Sequence, residues 1–125
     1  MKSARSRGPV SGVFRSGRAV YRSFVGDEAD YSVTYRAYAL SGVWIRETLG
    51  ATPENVENGG AFLYFFLGQS RCVGEDGRDA ELPEPGNGDE VILRPGTERE
   101  RTLRVAEVCR YPDSILAPHV RIRLK

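Results

Sequence analysis

From His119 to Lys125 the chain alternates without a break, with Val120, Ile122 and Leu124 on one side and Arg121, Arg123 and Lys125 on the other. Successive side chains of an extended strand point to opposite faces, so this pattern describes a strand with one face in a core and one in water. Tyr31 to Ala37 repeats it: Tyr31, Val33, Tyr35 and Ala37 stand opposite Ser32, Thr34 and Arg36. Leu40 to Leu49 continues in the same style, Val43 and Ile45 opposite Trp44 and Arg46, and Gly42 inside it predicts a bulge or bend. Ala61 to Leu67 (AFLYFFL) is apolar throughout, which predicts a central strand buried on both faces. Glu90 to Leu93 and Arg101 to Val108 flank Arg94, Pro95, Gly96 and Thr97, where Pro followed by Gly is the chemistry of a type II turn, so the two runs are predicted to form a hairpin.

No convincing long helix interrupts these strands, and 14 Gly with 7 Pro in 125 residues marks a turn-rich chain of single-domain size. The expected fold is all-β: a small β-barrel of about six antiparallel strands, closed or nearly so, with long loops and an extended basic N-terminal arm. Val33, Tyr35, Val43, Ile45, Leu103, Val105, Val120 and Ile122 are its expected core. The longest apolar run falls far short of the ~20 residues of a membrane-spanning helix, and the basic start has no apolar stretch of signal-peptide length behind it. The expectation is a soluble protein that is not secreted, with no membrane partner.

A net charge of +1 conceals an asymmetry. Residues 1–26 carry Lys2, Arg5, Arg7, Arg15, Arg18 and Arg22 and no acidic group, leaving 12 basic against 17 acidic residues in the rest. The segment is therefore expected to be a basic arm, ordered only in an assembly and dispensable for folding, with residues 27–125 as the barrel. Arg5, Arg7, Arg15, Arg18 and Arg22 are its candidate contacts, either with the acidic body of a neighbouring copy or with nucleic acid. Arg exceeds Lys by 16 to 2. Planar guanidinium forks suit phosphate, but a GC-rich coding bias produces the same ratio and is the preferred reading. Two polar loops are long, Ala51 to Gly60 and Val73 to Gly88; the second exceeds the length usual for a structureless loop in a compact domain and concentrates five carboxylates, Glu75, Asp76, Asp79, Glu81 and Glu84.

Catalytic chemistry finds little purchase. His119 is the only histidine, and its place between Pro118 and a strand fits a ring bonded to nearby backbone. Cys72 and Cys109 lie 37 residues apart without the paired spacing of a zinc site, and the acidic loop lacks a calcium-loop signature. Both cysteines are read as reduced thiols. No phosphate loop or dinucleotide fingerprint occurs, so no catalytic residue, metal or cofactor is expected. Tyr31, Tyr35, Tyr38, Trp44, Tyr64, Phe65 and Phe66 could form a stacking platform for single-stranded nucleic acid, although core or subunit packing is the commoner use of aromatics on alternating strands.

The order of these features, VTYRAYALSGVWIRE, a polar loop with NGG, an apolar strand, an acidic loop ending LPEPGNGDEVIL, RTLRVAEV and a terminal APHVRIRLK, resembles the small head-closure, or stopper, proteins of long-tailed bacteriophages and related tail-like particles. The resemblance covers about Asp30 to Lys125. It rests on Gly88 and Asp89 opening a strand with Val91, Ile92 and Leu93, and on Pro118 and His119 before Val120. It implies a non-enzymatic virion neck protein, assembled in the host cytoplasm as a homo-oligomeric ring of twelvefold symmetry. Such a ring would have portal or adaptor above it and a tail protein below, and would retain packaged double-stranded DNA in its channel. On that reading Phe62, Tyr64 and Phe66 are the candidate ring interface, and Gly74, Glu75, Asp76, Gly77, Asp79, Glu81 and Glu84 the candidate gate loop. The alternative is a small-barrel single-stranded nucleic-acid-binding module.

Overall fold

The computed structural model describes residues 16–27, 32–47, 60–115 and 117–125. Its regular structure is entirely strand: β1 (Gly17–Asp27), β2 (Ser32–Glu47), β3 (Ala61–Phe66), β4 (Arg71–Val73), β5 (Glu90–Leu93), β6 (Arg101–Tyr111) and β7 (His119–Leu124). No helix among the described residues is long and apolar enough to cross a membrane. Every strand pairing is antiparallel, in the order β1–β5–β6–β7–β3–β2, and β2 pairs back with β1. The sheet thus closes into a small barrel-like ring of six strands, with β4 added on β2 at Ala39 to Ser41. Closure removes the open edges that a flat sheet of this size would leave to solvent.

The 16-residue β2 makes closure achievable because it serves two neighbours in turn, β1 along its first two thirds and β3 at Trp44 to Glu47. Between those stretches the register with β1 skips Gly42, which is an extra residue with φ of 68°. A side chain resists that left-handed conformation and glycine does not. The expected bulge is present, and it also changes which face points inward. Leu40 before it and Val43 after it are both buried in the core. The inward face ahead of the bulge is therefore that of Tyr38 and Leu40, and Tyr35 lies on the outer face, contrary to its expected core role. Its ring sits beneath the Arg22 guanidinium, 4.1 Å from ring centre to Cζ, and edge-on to Phe24. The side chain of Val33 lies outside the described residues.

Elsewhere local patterning held. Val120, Ile122 and Leu124 are buried, and Val43 joins them, with Ile45, Leu103 and Val105 packed against the cluster from partly exposed positions. The β5–β6 hairpin forms with Leu93 opposite Arg101; Thr97 N–H donates to the Arg94 carbonyl at 3.3 Å, and Gly96 takes the positive φ of 77° that a type II turn demands. β3 is central, between β2 and β7, but it is not buried on both faces. Ala61, Leu63 and Phe65 face the core, whereas Phe62 and Tyr64 are half-buried on the outside.

The main correction concerns the N-terminal region. Gly17 to Asp27 is a strand of the ring, paired with β2 along its whole length and with β5 at Ala19 to Arg22. Ala19 and Tyr21 are each 1% exposed. The arm drawn at residues 1–26 therefore overlaps the barrel, and its first 15 residues lie outside those described. Two outcomes follow from this ring. Ile122→Ala, at a fully buried site, should lower unfolding free energy by about 2–4 kcal/mol in urea titration. A chain lacking residues 1–26 should show no cooperative unfolding transition by circular dichroism, whereas removal of residues 1–15 leaves every described strand in place.

Candidate interaction surfaces

One buried carboxylate ties the acidic loop to the first strand. Asp89, 2% exposed, accepts the Tyr21 hydroxyl at 2.5 Å and the Gly86 N–H at 2.8 Å on Oδ2, and the Phe24 N–H at 2.8 Å on Oδ1. Gly88 precedes it with φ of 91°, and a Cβ there would press on the Phe24 ring at 3.1 Å. Phe24 N–H lies just past the stretch of β1 that pairs with β5, so the carboxylate takes up a backbone donor where the ladder has run out. Burial first, and the Asp89 contact second, push the Tyr21 phenol well above the usual tyrosine range. The Gly88–Asp89 pair is thus a structural clasp.

The segment from Val73 to Gly88 is not a free loop reaching into solvent. It doubles back at once: Gly74 N–H donates to Arg78 O at 2.9 Å, Gly77 N–H to Gly74 O at 3.0 Å, and Ala80 N–H to Cys72 O at 2.8 Å. Ala80 and Leu82 then pack against the core. Of the candidate gate residues, Glu75, Asp76, Gly77 and Asp79 make an exposed turn beside Gly74, while Glu81 and Glu84 lie on the return path. Asp79 meets Arg71 at 2.8 Å and Glu84 meets Arg110 at 3.6 Å, exposed pairs that add little stability. Projection is confined to this short acidic tip.

The outer wall of the barrel carries an aromatic and cationic face. Trp44 lies opposite Tyr64 with ring centres 4.7 Å apart, Tyr64 is 5.7 Å from His119, and His119 is 5.0 Å from Tyr111. Arg121 stands among them, its Cζ 5.3 Å from the Phe62 ring centre and 5.5 Å from that of Tyr111. Four strands, β2, β3, β7 and β6, contribute to this face. His119 Nδ1 is 2.8 Å from the Ala117 carbonyl, so that nitrogen carries the donated proton. The expected ring interface is therefore placed on one wall, with Phe62 and Tyr64 half-exposed and Phe66 buried at 6% exposure. Tyr111 and Arg121 share the same wall, and only cross-strand register brings them there: Arg121 pairs with Tyr64 on one side and Cys109 on the other.

Of the candidate arm contacts, Arg5, Arg7 and Arg15 lie outside the described residues. Arg18 is exposed where β1 begins. Arg22 is engaged within the fold, ion-paired with Glu90 at 3.2 Å and held over Tyr35. Cys72 is buried, which pushes its thiol above the usual range, and both cysteines are free. Among the described residues no three His, Cys, Asp or Glu side chains come together as a metal site. Comparison of the chain with protein-family models, curated proteins and solved structures finds no match.

The clasp has a pH signature. The folded state holds the Tyr21 proton more tightly than the unfolded chain, so the clasp's contribution is complete below the unfolded value of about 10 and declines as pH rises past it. The urea midpoint of the native sequence should fall more steeply between about pH 9 and pH 11 than that of Tyr21→Phe. Asp89→Ala, which strands a hydroxyl and two backbone donors, should cost at least about 2 kcal/mol at neutral pH.

Proposed function

We propose that the chain is a non-catalytic structural subunit that assembles through side-chain surfaces into a homo-oligomeric ring, as a head-closure component in the neck of a tailed-phage virion. The observation that carries this reading is the outer face of Trp44, Phe62, Tyr64, Tyr111 and Arg121. A closed barrel has few strand edges to offer a partner, so a half-buried aromatic wall is the contact surface it has. Aromatic and Arg side chains are the residues that dominate interface energetics. The acidic tip at Glu75 to Asp79 supplies a second, chemically different patch, and a heterologous contact between identical subunits joins two different patches. In a ring of such subunits, with portal or adaptor on one side and tail protein on the other, the tip would obstruct the DNA channel by bulk, since its carboxylates repel phosphates.

The same wall favours a second reading. Rings interleaved with a guanidinium are also the chemistry of base stacking, as in small-barrel modules that bind single-stranded nucleic acid. Native mass spectrometry with electron microscopy separates the two. The ring reading expects a closed oligomer from the purified chain at high concentration or on isolated portal complexes, and its loss in Tyr64→Glu with the thermal transition kept. A chain that remains monomeric in both settings, while its Tyr64 face binds single-stranded oligonucleotide, overturns the ring reading in favour of the second.

A further inference from the structure

At the end of the barrel where β1 begins, a groove of about 540 Å³ opens between β2 and the turn joining β5 to β6. Arg18, Arg94 and Arg99 line it together with Trp44 and Thr97, and no carboxylate does. Of the three, only Arg94 has a carboxylate near it among the described residues. Arg18 and Arg99 are exposed and form no ion pair among the described residues. Arg94 is held by its backbone at φ of 50°, a conformation that non-glycine residues seldom adopt. Its Nη1 lies 3.2 Å from Glu47 Oε1, but the N–H is not aimed at that oxygen and the buried donor makes no hydrogen bond. Glu47 is shared with Arg101, whose Nη1 donates to the same Oε1 at 3.1 Å, so this single carboxylate faces two guanidinium groups.

The groove also marks where the basic N-terminal segment joins the barrel. Ser16 and Gly17 line it, and the 15 residues before them carry Lys2, Arg5, Arg7 and Arg15 with no acidic group. A basic run in the sequence just ahead of a cluster of guanidinium groups matches a ligand with repeated negative charge better than a single small anion. Guanidinium forks bind phosphate oxygens in pairs, and an indole at the rim offers a flat surface to a sugar or base.

We infer that this groove binds the phosphodiester backbone of a nucleic-acid strand, with Arg18, Arg94 and Arg99 on phosphates and Trp44 against the adjoining sugar or base. The groove borders the aromatic wall at Trp44, which stacks on Tyr64, but its arginines lie outside that wall and phosphate contact there does not require an assembled oligomer. Phosphate contact here is independent of base sequence and weakens with salt.

Trp44 is the chain's only tryptophan and lines the groove, so its emission reports binding there or on the adjoining Tyr64 wall, and the arginine variants assign it to the groove. The full chain is titrated with a random-sequence single-stranded DNA 20-mer at several salt concentrations. Saturable quenching of Trp44 is expected. Arg18→Gln combined with Arg99→Gln should weaken binding at least about tenfold and lower the slope of log affinity against log salt by about 1.4, roughly 0.7 for each phosphate contact removed from a single strand. Arg78→Gln, at the acidic tip, should change neither. Both substituted arginines are exposed, so the thermal transition of the double variant should match that of the native sequence. The inference is overturned if the oligonucleotide leaves Trp44 emission unchanged at low salt, or if the double variant keeps native affinity and slope. It is equally overturned if a peptide of residues 74–90 quenches Trp44 and the oligonucleotide does not, which would make the groove a contact between subunits.

Discussion

The Asp89 carboxylate is the contact on which the arrangement of this barrel turns. It lies immediately before β5 in sequence and reaches β1, 68 residues earlier, through Tyr21 and 65 residues earlier through the Phe24 N–H. Closure needs β1 and β5 side by side, yet they share only four residue pairs. A buried carboxylate with three donors extends that short ladder and fixes where β1 stops being paired on that edge. It also anchors the return of the acidic segment through Gly86, so the placement of the Glu75 to Asp79 tip and the closure of the ring share one polar centre. Removing a partner from such a centre leaves buried donors without acceptors, a larger effect than the gain from forming any single bond.

The second constraint is geometric. A single extra residue at Gly42 allows β2 to face the core on both sides of the bulge, with Leu40 and Val43 inside although they differ in parity. That inversion places Trp44 on the outer wall beside Tyr64 and Ile45 within. An uninterrupted strand with Leu40 inward would have turned Trp44 to the core and Ile45 outward. The aromatic face and the Arg-lined groove, which both use Trp44, depend on the conformation of one glycine.

Much of this fold was legible where the signal is local. The β7 alternation, the Pro95–Gly96 turn with its hairpin and the Gly42 bulge each involve neighbours in sequence, and each appears as expected. The inward face of β2 near Tyr35 was misjudged because alternation tells which residues share a side, while the bulge decides which side is inside. β1 escaped notice because its only deeply buried residues are Ala19 and Tyr21, and the tyrosine belongs inside only when Asp89 accepts its hydroxyl. For the candidate surfaces, Phe62 and Tyr64 could be named from the apolar run of β3. Tyr111 and Arg121 could not, since register across three strands assembles them. The groove was invisible for the same reason: Arg18, Arg94 and Arg99 meet only after the ring has closed.

The order of strands around the ring also governs when the chain can finish folding. β7, ending at Leu124, sits between β3 and β6, and β1 pairs with both β2 and β5. Until β7 is in place, β3 and β6 each lack a neighbour and expose unpaired backbone. Such edges recruit other strands and promote aggregation. Closure therefore waits on the insertion of β7, and the many pairings distant in sequence favour slow folding. The unfinished barrel is thus open and adhesive, and its lifetime is set by how quickly six residues, His119 to Leu124, find their slot.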